Sequence, residues 1–167
     1  MTIQSLRPQT SLVSSDAYRR TASRLPTAVA VVTAQTPDGP SGCTISAVMS
    51  LSVSPPAMAV SLTTGSRTLA HVLDDGRFAV NVLPWTARAL VQQFATGTPA
   101  QRFAEVDWRT EHGAPVLSVA PVVVVCEVAQ CTPLLDHTLV AGTVLWMHAE
   151  EEPGMVLFGG TPYAVGR

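Results

Sequence analysis

The sequence predicts a mainly β, α+β domain whose strands form an antiparallel barrel-like sheet with short helical insertions. Strand signals outnumber helix signals, and the helical segments are short and scattered along the chain. No predicted strand runs into a dinucleotide-type glycine loop, so a doubly wound parallel sheet with a Rossmann site is not supported. The length of 167 residues indicates a single domain.

The predicted strands are rich in Val, Ala and Thr and are separated by turn residues, as at Pro37-Asp38-Gly39-Pro40. In chain order they cover Thr27 to Thr36, Ser41 to Ser54, Ala57 to Leu62, Arg77 to Leu83, Val122 to Cys131, Thr138 to His148 and Met155 to Phe158.

Start and stop signals predict three helices. The first starts at Ser14-Ser15-Asp16 and stops before Pro26, with Tyr18, Ala22 and Leu25 on one face. The second starts after the N-cap candidate Ser66 and ends at Gly76, and the third covers Pro84 to Thr96.

Two further segments are predicted to form neither a strand nor a helix. Residues 1–13 are predicted to be a loose N-terminal arm in front of a domain that covers residues 14–167. Gly97 to Pro115 is predicted to be a long polar connection.

The amino-acid composition indicates which kinds of partner the protein can have. Apolar residues make up 47% of the chain and charged residues only 13%, against about 25% in typical soluble domains. The apolar stretches are broken before the ~20 residues that a membrane span needs, so no membrane partner is expected. A surface this poor in charge predicts that a second copy of the chain buries part of it. The net charge is −2 and the arginines form no cluster, which argues against nucleic acid.

The cysteines and the N-terminus predict a reducing cytoplasm. Cys43, Cys126 and Cys131 are odd in number and lack the spacing of metal ligands, so buried thiols are expected and no metal site. Residues 1–15 lack the apolar run of a secretory signal.

The sequence holds no evident catalytic machinery of its own. It has no nucleophile elbow, no suggestive carboxylate pair and no pair of histidines on one helix face. An enzyme built from this chain would therefore take its reactive groups from a cofactor, with the protein supplying binding and orientation.

Three segments could serve such a cofactor. Gly42 to Val48 combines small and hydroxyl side chains that let a flat ligand approach the backbone. The alternative is that this segment is an ordinary Ser/Thr-rich strand that binds no ligand. Ser66-Arg67-Thr68 brings N–H groups, hydroxyls and a cation to a helix start, as an anion site requires, and the alternative is a capped helix with a solvent-facing Arg67. Asp136-His137 at a strand entry could donate to a phosphate or an amide.

Taken together, these segments resemble the flavin reductase family, which has a split-barrel flavin-binding fold and includes the reductase components of two-component flavin monooxygenases. The resemblance is carried, in chain order, by Thr27 to Thr33, Gly42 to Val48, Ser50 to Pro56, Ser66 to Thr68, Gly76 to Leu83, Phe94-Ala95, Gly113 to Leu117, and Asp136-His137 with Gly142 and Val144.

The resemblance implies a set of binding residues and no catalytic side chain. The flavin ring and ribityl chain would be lined by Thr44, Ile45, Ser46, Ala47 and Val48 and by Ser61 and Leu62. Ser66, Arg67 and Thr68 would take the flavin phosphate, Phe94 and Ala95 would close the flavin site, and His137 would hold the nicotinamide nucleotide. The family also implies a homodimer.

The implied function is an NAD(P)H:flavin oxidoreductase that passes a hydride from C4 of the nicotinamide to N5 of FAD or FMN and supplies reduced flavin to a monooxygenase. NADH with FAD is the favoured pair. The alternatives are a flavoprotein that keeps FMN as a tight prosthetic group and a non-catalytic flavin-binding module. The chain departs from the family at Leu135, where Gly is usual, at Ala28, where Gly is commoner, and at Val48, where an aromatic residue is often found.

Overall fold

The computed structural model describes residues 12–166, which form four α-helices, one 3₁₀ turn and twelve strands. The helices are α1 (Ser15–Ala22), α2 (Arg67–Asp75), α3 (Ala89–Thr96) and α4 (Pro99–Arg102), and the 3₁₀ turn covers Trp85–Ala87. The strands are β1 (Thr27–Ala28), β2 (Ala30–Thr36), β3 (Gly39–Ile45), β4 (Val48–Val53), β5 (Pro56–Thr63), β6 (Arg77–Val82), β7 (Trp108–Glu111), β8 (Ala114–Leu117), β9 (Val122–Leu134), β10 (His137–Ala149), β11 (Gly154–Phe158) and β12 (Thr161–Val165). None of these helices is long and apolar enough to cross a membrane.

A seven-stranded antiparallel sheet dominates the fold, with the strand order β3-β2-β6-β9-β10-β5-β4. β3 and β4 follow each other in the chain and yet occupy opposite edges of this sheet, joined only by Ser46 and Ala47. Because a two-residue connection spans at most about 10 Å, the sheet must curl until its edges approach at this point. The amide of Ser61 on β5 donates to the carbonyl of Ala47 at 3.0 Å, which extends the β4–β5 pairing by one residue. No ladder joins β3 to β4 within residues 12–166.

The strand β2, next to the edge strand β3, is buried on both faces, which explains its continuous run of Val and Ala. Val31 packs into one apolar cluster with Phe94, whereas Val32 packs into the other with Val60 and Phe78. Successive side chains of a strand point to opposite faces, so one strand serves two cores. The helix α2 covers the second cluster through Leu69 and Val72.

The local signals located α2 accurately. Ser66 is its N-cap, and its hydroxyl accepts a hydrogen bond from the amide of Leu69 at 3.3 Å. Gly76 ends the helix in the left-handed region at φ 73°, which a residue without Cβ adopts at little cost. The prediction of a mainly β fold with short helices is confirmed, and α1 begins after Ser14 as expected.

Two predicted strands are divided in the structure. The predicted strand Thr27 to Thr36 breaks at Val29, where β1 leaves to pair with β11 in a separate three-stranded sheet. The predicted single segment Ser41 to Ser54 is wrong, because Ser46 and Ala47 separate it into β3 and β4. The first break is set by a partner that is distant in the sequence, β11. The second occurs where the chain changes from pairing with β2 to pairing with β5 at the opposite edge of the sheet.

Other differences concern segments with weak local signals. Gly97 to Pro115 holds α4 and β7 and the start of β8, so it is more ordered than the predicted polar connection. The predicted helix from Pro84 begins as a 3₁₀ turn and continues as α3. β12 was not predicted, and it follows β11 through Gly159 and Gly160, which both have positive φ. Residues 1–11 of the predicted N-terminal arm lie outside the described residues.

Candidate functional site

A cavity of about 360 Å³ opens where the end of β3, the end of β5 and the start of α2 meet. We call it the first cavity. It collects ten of the twelve residues that the sequence assigned to cofactor binding, together with His137. The predicted residues that line it are Thr44, Ile45, Ser46, Ala47, Ser61, Leu62, Ser66, Arg67, Thr68 and Ala95.

The start of α2 presents unpaired N–H groups to the first cavity. The amide of Ser66 donates to the carbonyl of Thr63, and the amide of Leu69 is capped by Ser66. Within residues 12–166, the amides of Arg67 and Thr68 have no protein acceptor, as is usual in a first helical turn. These two N–H groups and the helix dipole favour an anion at this point.

The charged side chains of the first cavity are all cationic. Arg67 is exposed, and it forms no ion pair within the described part of the chain. Arg102 reaches the same cavity from α4, with its guanidinium hydrogen-bonded to the carbonyls of Gly97 and Gly42. No carboxylate is among the described lining residues. The cavity therefore fits a ligand that carries a phosphate near the start of α2.

A wall of small and hydroxyl side chains lies beside the cationic end. Ser46 and Ala47 are exposed in the connection between β3 and β4. The hydroxyl of Thr44 donates to the carbonyl of Val91 at 2.7 Å, which attaches β3 to α3. This bond orients the Thr44 side chain. The small side chains of Ser46 and Ala47 form a low wall, which leaves room for a flat ring against the backbone.

His137 lies at the first residue of β10, opposite Thr63 of β5. Its Nδ1 lies 2.8 Å from an Asp136 carboxylate oxygen, and its Nε2 lies 3.5 Å from the Thr63 hydroxyl. The hydrogen bond and the charge of His137 lower the pKa of Asp136. The His137 side chain is 44% exposed, so it can reach a ligand in the cavity.

Two predicted lining residues lie elsewhere. Phe94 is fully buried in the first apolar cluster and packs edge-on against Phe103 with ring centroids 5.0 Å apart. The ring of Phe94 therefore does not line the first cavity, and its contact with a cofactor stays a prediction. Val48 pairs with Val60 and packs against the second cluster, outside the cavity lining.

Three further residues line the cavity without having been assigned a contact with the cofactor: Cys43, Thr63 and Arg102. Cys43 lies inside the candidate segment Gly42 to Val48, and burial raises the pKa of its thiol. Thr63 follows Leu62 on β5. Arg102 lies far along the chain in the segment predicted to be a polar connection, and no local signal distinguished it from the other arginines.

Comparisons with known proteins point to one family. A sequence model of the flavin reductase like domain matches residues 22–166. A flavin reductase (NADH) from Kitasatospora aureofaciens is 39% identical over 80% of this chain and 72% of its own length. A flavin reductase (NADPH) from Lentzea aerocolonigenes is 36% identical over 99% of this chain and 97% of its own.

Solved structures agree with this result. An NADH:FAD oxidoreductase from Streptomyces globisporus superposes with a TM-score of 0.86 and 27% identity, covering 96% of this chain and all of that one. The styrene monooxygenase flavin reductase from Pseudomonas putida superposes with a TM-score of 0.79 and 25% identity, covering 89% of this chain and 97% of that one.

Proposed function

The chain belongs to the flavin reductase family, and on that premise we propose that it transfers a hydride from NADH to FAD or FMN and supplies the reduced flavin to a partner monooxygenase. One observation carries the proposal for this chain. The first cavity joins an unpaired cationic helix start, at Arg67 and Thr68, to a low wall at Ser46 and Ala47 and to His137. These are the sites that a flavin phosphate, a flavin ring and a nicotinamide nucleotide require.

The residues of the first cavity fit a flavin mononucleotide unit. A phosphate dianion at the start of α2 would accept from the amides of Arg67 and Thr68 and from the Arg67 guanidinium. The ribityl chain and the ring would then lie along Ser46, Ala47 and Ser61.

The chain's part in the reaction is orientation. The bound flavin supplies N5 as the acceptor of the hydride from C4 of NADH, so no protein acid or base is required. The exposed residues Ser46 and Ala47 would hold the flavin ring against the backbone. His137, which lines the same cavity, would hold the nicotinamide nucleotide beside it.

NADH and FAD are the proposed natural pair. The relatives carry both NADH and NADPH in their names, and one structural neighbour is an NADH:FAD oxidoreductase. The partner is proposed to be a monooxygenase, since another neighbour is the flavin reductase of a styrene monooxygenase.

We also propose that the protein is a homodimer. The helix α1 buries no residue within the protomer, and its Tyr18 is 68% exposed. The edge strand β4 likewise exposes Met49 and Val53. Exposed apolar surface on a helix and on a sheet edge favours burial against another protein chain. Sedimentation equilibrium should give twice the chain mass, and a monomer at micromolar concentration would contradict the proposal.

A steady-state assay tests the function directly. NADH and NADPH are each supplied with FAD, FMN or riboflavin, and nicotinamide oxidation is followed by absorbance. We expect NADH oxidation only when free flavin is added. A protein that stays yellow through desalting and oxidises NADH without added flavin would favour a tightly bound FMN. Absence of turnover with every flavin at micromolar concentration would contradict the proposal.

A further inference from the structure

A second cavity, of about 280 Å³, lies between the end of α1 and the hairpin of β11 and β12. We call it the α1 cavity. The amide of Gly159, in the turn of the hairpin, donates to the carbonyl of Ser23 at 2.7 Å and attaches the helix to the hairpin. The α1 cavity shares no lining residue with the first cavity, so it is a separate feature of the surface.

The hairpin packs one face against the core and presents the other face to the α1 cavity. Met155 is buried in the first apolar cluster, and Leu157 packs against the same cluster. Tyr163 pairs with Val156, so its ring lies with that of Phe158 on the opposite face of the hairpin. Phe158 and Tyr163 line the α1 cavity and are 37% and 51% exposed. Two aromatic rings therefore lie at the surface of the protomer.

Two arginines supply the charge of the α1 cavity. Arg20 and Arg24 lie four residues apart across the end of α1, and both line the cavity. The guanidinium of Arg24 lies over the Phe158 ring, 5.6 Å from its centroid. Within residues 12–166, neither arginine forms an ion pair. No carboxylate is among the described residues that line the α1 cavity, so its charge is positive and uncompensated.

Stabilisation of α1 does not account for both arginines. Cations near the C-terminus of a helix interact with its last carbonyls and with the helix dipole. Arg24 instead extends across to the hairpin, where it lies over Phe158. Arg19 also lies in the last turn of α1, but it is paired with Asp16 and does not line the cavity.

The α1 cavity has the composition of a protein-docking surface. All of its described lining residues are exposed, whereas a small-molecule site encloses most of its ligand. Arginine and tyrosine are enriched among the residues that contribute most to the affinity between proteins. The guanidinium groups favour carboxylates on the partner, and the two rings favour an aromatic side chain.

A second copy of this chain does not fit as the occupant. An interface of a two-fold dimer that was centred on the α1 cavity would bring this surface against itself, with guanidinium groups facing guanidinium groups. Tyr18, which the proposed homodimer would bury, is two residues from Arg20 and so lies on about the opposite side of the helix. The homodimer can therefore use that side of α1 and leave the α1 cavity free.

The α1 cavity lies at the end of the sheet where the first cavity opens. Ala30, the first residue of β2, pairs with Ile45, and Ser46 of the first cavity follows directly. At the same end of β2, the preceding strand β1 pairs through Thr27 with Leu157 of the hairpin. Thr27 is three residues from Ala30, or about 10 Å of extended chain. A protein bound at the hairpin would therefore lie close to the first cavity.

We propose that the α1 cavity docks an acidic segment of the partner monooxygenase, in which an aromatic side chain lies between carboxylates. The inference rests on the proposed function, since that function supplies the partner. Carboxylates of the segment pair with Arg20 and Arg24, and its ring packs against Phe158 and Tyr163. Docking at this place leaves the first cavity open, so the reduced flavin is released close to the bound monooxygenase.

A peptide probe tests the docking surface. The acidic probe has a phenylalanine between two pairs of glutamates, and the control probe has glutamine in place of each glutamate. Isothermal titration calorimetry with the full-length protein gives the dissociation constants. The variants are Arg20→Gln and Tyr163→Leu, and Arg19→Gln is the matched control on the same helix turn. Thermal melting without peptide checks that each variant is folded.

We expect the acidic probe to bind the wild-type protein with a dissociation constant below about 1 mM, and the control probe to bind about tenfold more weakly. Arg20→Gln should weaken the acidic probe about fivefold, because solvent screens an exposed contact, and Tyr163→Leu should weaken it about threefold. Arg19→Gln should leave the affinity within about twofold. The acidic probe should not change the rate of NADH oxidation with free flavin.

Other outcomes would overturn the inference. Equal affinity for the two probes would mean that the arginines do not select carboxylates. Benzoate that binds as tightly as the acidic probe would assign the α1 cavity to a small aromatic acid. A monomer in Arg20→Gln, where the wild-type protein is a dimer, would assign the surface to the second copy. Inhibition of NADH oxidation by the probe would place the probe in the first cavity. Failure of the proposed function is distinguishable, because NADH oxidation is measured without the probe and probe binding is measured without flavin.

Discussion

The guanidinium Nη1 of Arg102 donates a 2.7 Å hydrogen bond to the carbonyl oxygen of Gly42, which joins α4 to β3. The Nε of the same side chain donates to the carbonyl of Gly97 at 2.9 Å. Arg102 thus holds the segment in front of α4 against the sheet and places its charge at the first cavity. One residue supports the structure and the electrostatics of the candidate site.

Replacing Arg102 with Ala should therefore destabilise the fold. Hydrogen bonds from a charged donor contribute about 1.5–3 kcal/mol each, and the partial exposure of Arg102 reduces this, so we expect the free energy of unfolding to fall by about 1–3 kcal/mol. Urea denaturation measures the change. The control is Arg109→Ala, whose half-exposed pair with Glu111 should cost less than about 1 kcal/mol. Equal losses in the two variants would contradict the assigned role.

Replacing Arg67 with Ala should weaken the binding of FMN and FAD and leave the binding of riboflavin nearly unchanged. A charge-assisted contact to phosphate is worth about 1.5–3 kcal/mol, or roughly ten- to a hundredfold in affinity. Riboflavin lacks the phosphate, so its dissociation constant should change little. Arg77→Ala, on a strand outside the first cavity, is the control. Equal losses for riboflavin and FMN would show that Arg67 does not contact the phosphate.

Local signals in the sequence were sufficient for α2 and for the residues at its start. Ser66 and Gly76 act on their own neighbours through a side-chain cap and a positive φ, so their effect can be predicted from a few residues. The lining run from Thr44 to Ala47 was recognised because small and hydroxyl side chains follow one another along the candidate segment Gly42 to Val48.

Features that depend on distant contacts could not be predicted in the same way. The break at Ser46 and Ala47 exists because β3 and β4 pair at opposite edges of a curled sheet, a long-range arrangement. Arg102 lies some sixty residues from Gly42, and only the fold brings them together. Phe94 was assigned to the cavity by resemblance, and the packing of α3 buries it instead.

Replacing Leu135 with Gly should stabilise the protein. Leu135 is fully exposed in the two-residue turn between β9 and β10, and its φ of 58° lies in the left-handed region. An L-residue with Cβ is disfavoured there by about 1–2 kcal/mol, while Gly loses more entropy on folding, so we expect a net gain of about 0.5–1 kcal/mol.

Thermal melting measures this gain, and Leu134→Gly is its control. Leu134 is the last residue of β9, where its backbone is extended and Gly offers no relief. We expect Leu134→Gly to lower the melting temperature and Leu135→Gly to raise it. A lower melting temperature in Leu135→Gly would mean that the leucine side chain stabilises this turn.

Stability should fall at alkaline pH because of Cys126. This thiol is fully buried, and burial raises its pKa from 9.0 to about 12. Below pH 9 the thiol is protonated in both states. Between pH 9 and 12 the unfolded chain loses this proton while the folded chain keeps it, so the free energy of unfolding falls by up to about 1.4 kcal/mol per pH unit.

The Cys126→Ala variant isolates this contribution. Its unfolding free energy, measured in urea at a series of pH values, should decline less steeply above pH 9 than that of the wild-type protein. Cys131→Ala is the control, because Cys131 is only half-buried. Parallel profiles for wild type and Cys126→Ala would contradict the assignment.

Replacing His137 with Ala should raise the KM for NADH and leave the binding of oxidised flavin nearly unchanged. His137 lines the first cavity from β10, with Nδ1 held by Asp136 and Nε2 close to Thr63. Loss of one hydrogen bond to a charged group costs about 1.5–3 kcal/mol, so the KM should rise roughly ten- to a hundredfold. Steady-state kinetics and flavin fluorescence measure the two quantities separately.

A histidine that only fixes the turn at the start of β10 would behave differently. Its removal would lower the melting temperature and weaken NADH and flavin together, because the turn carries part of the cavity wall. His137→Gln keeps a hydrogen-bond donor near the position of Nε2, so it should recover part of the NADH affinity if contact with the nucleotide is what matters. Wild-type NADH kinetics in His137→Ala would exclude the role in nucleotide binding.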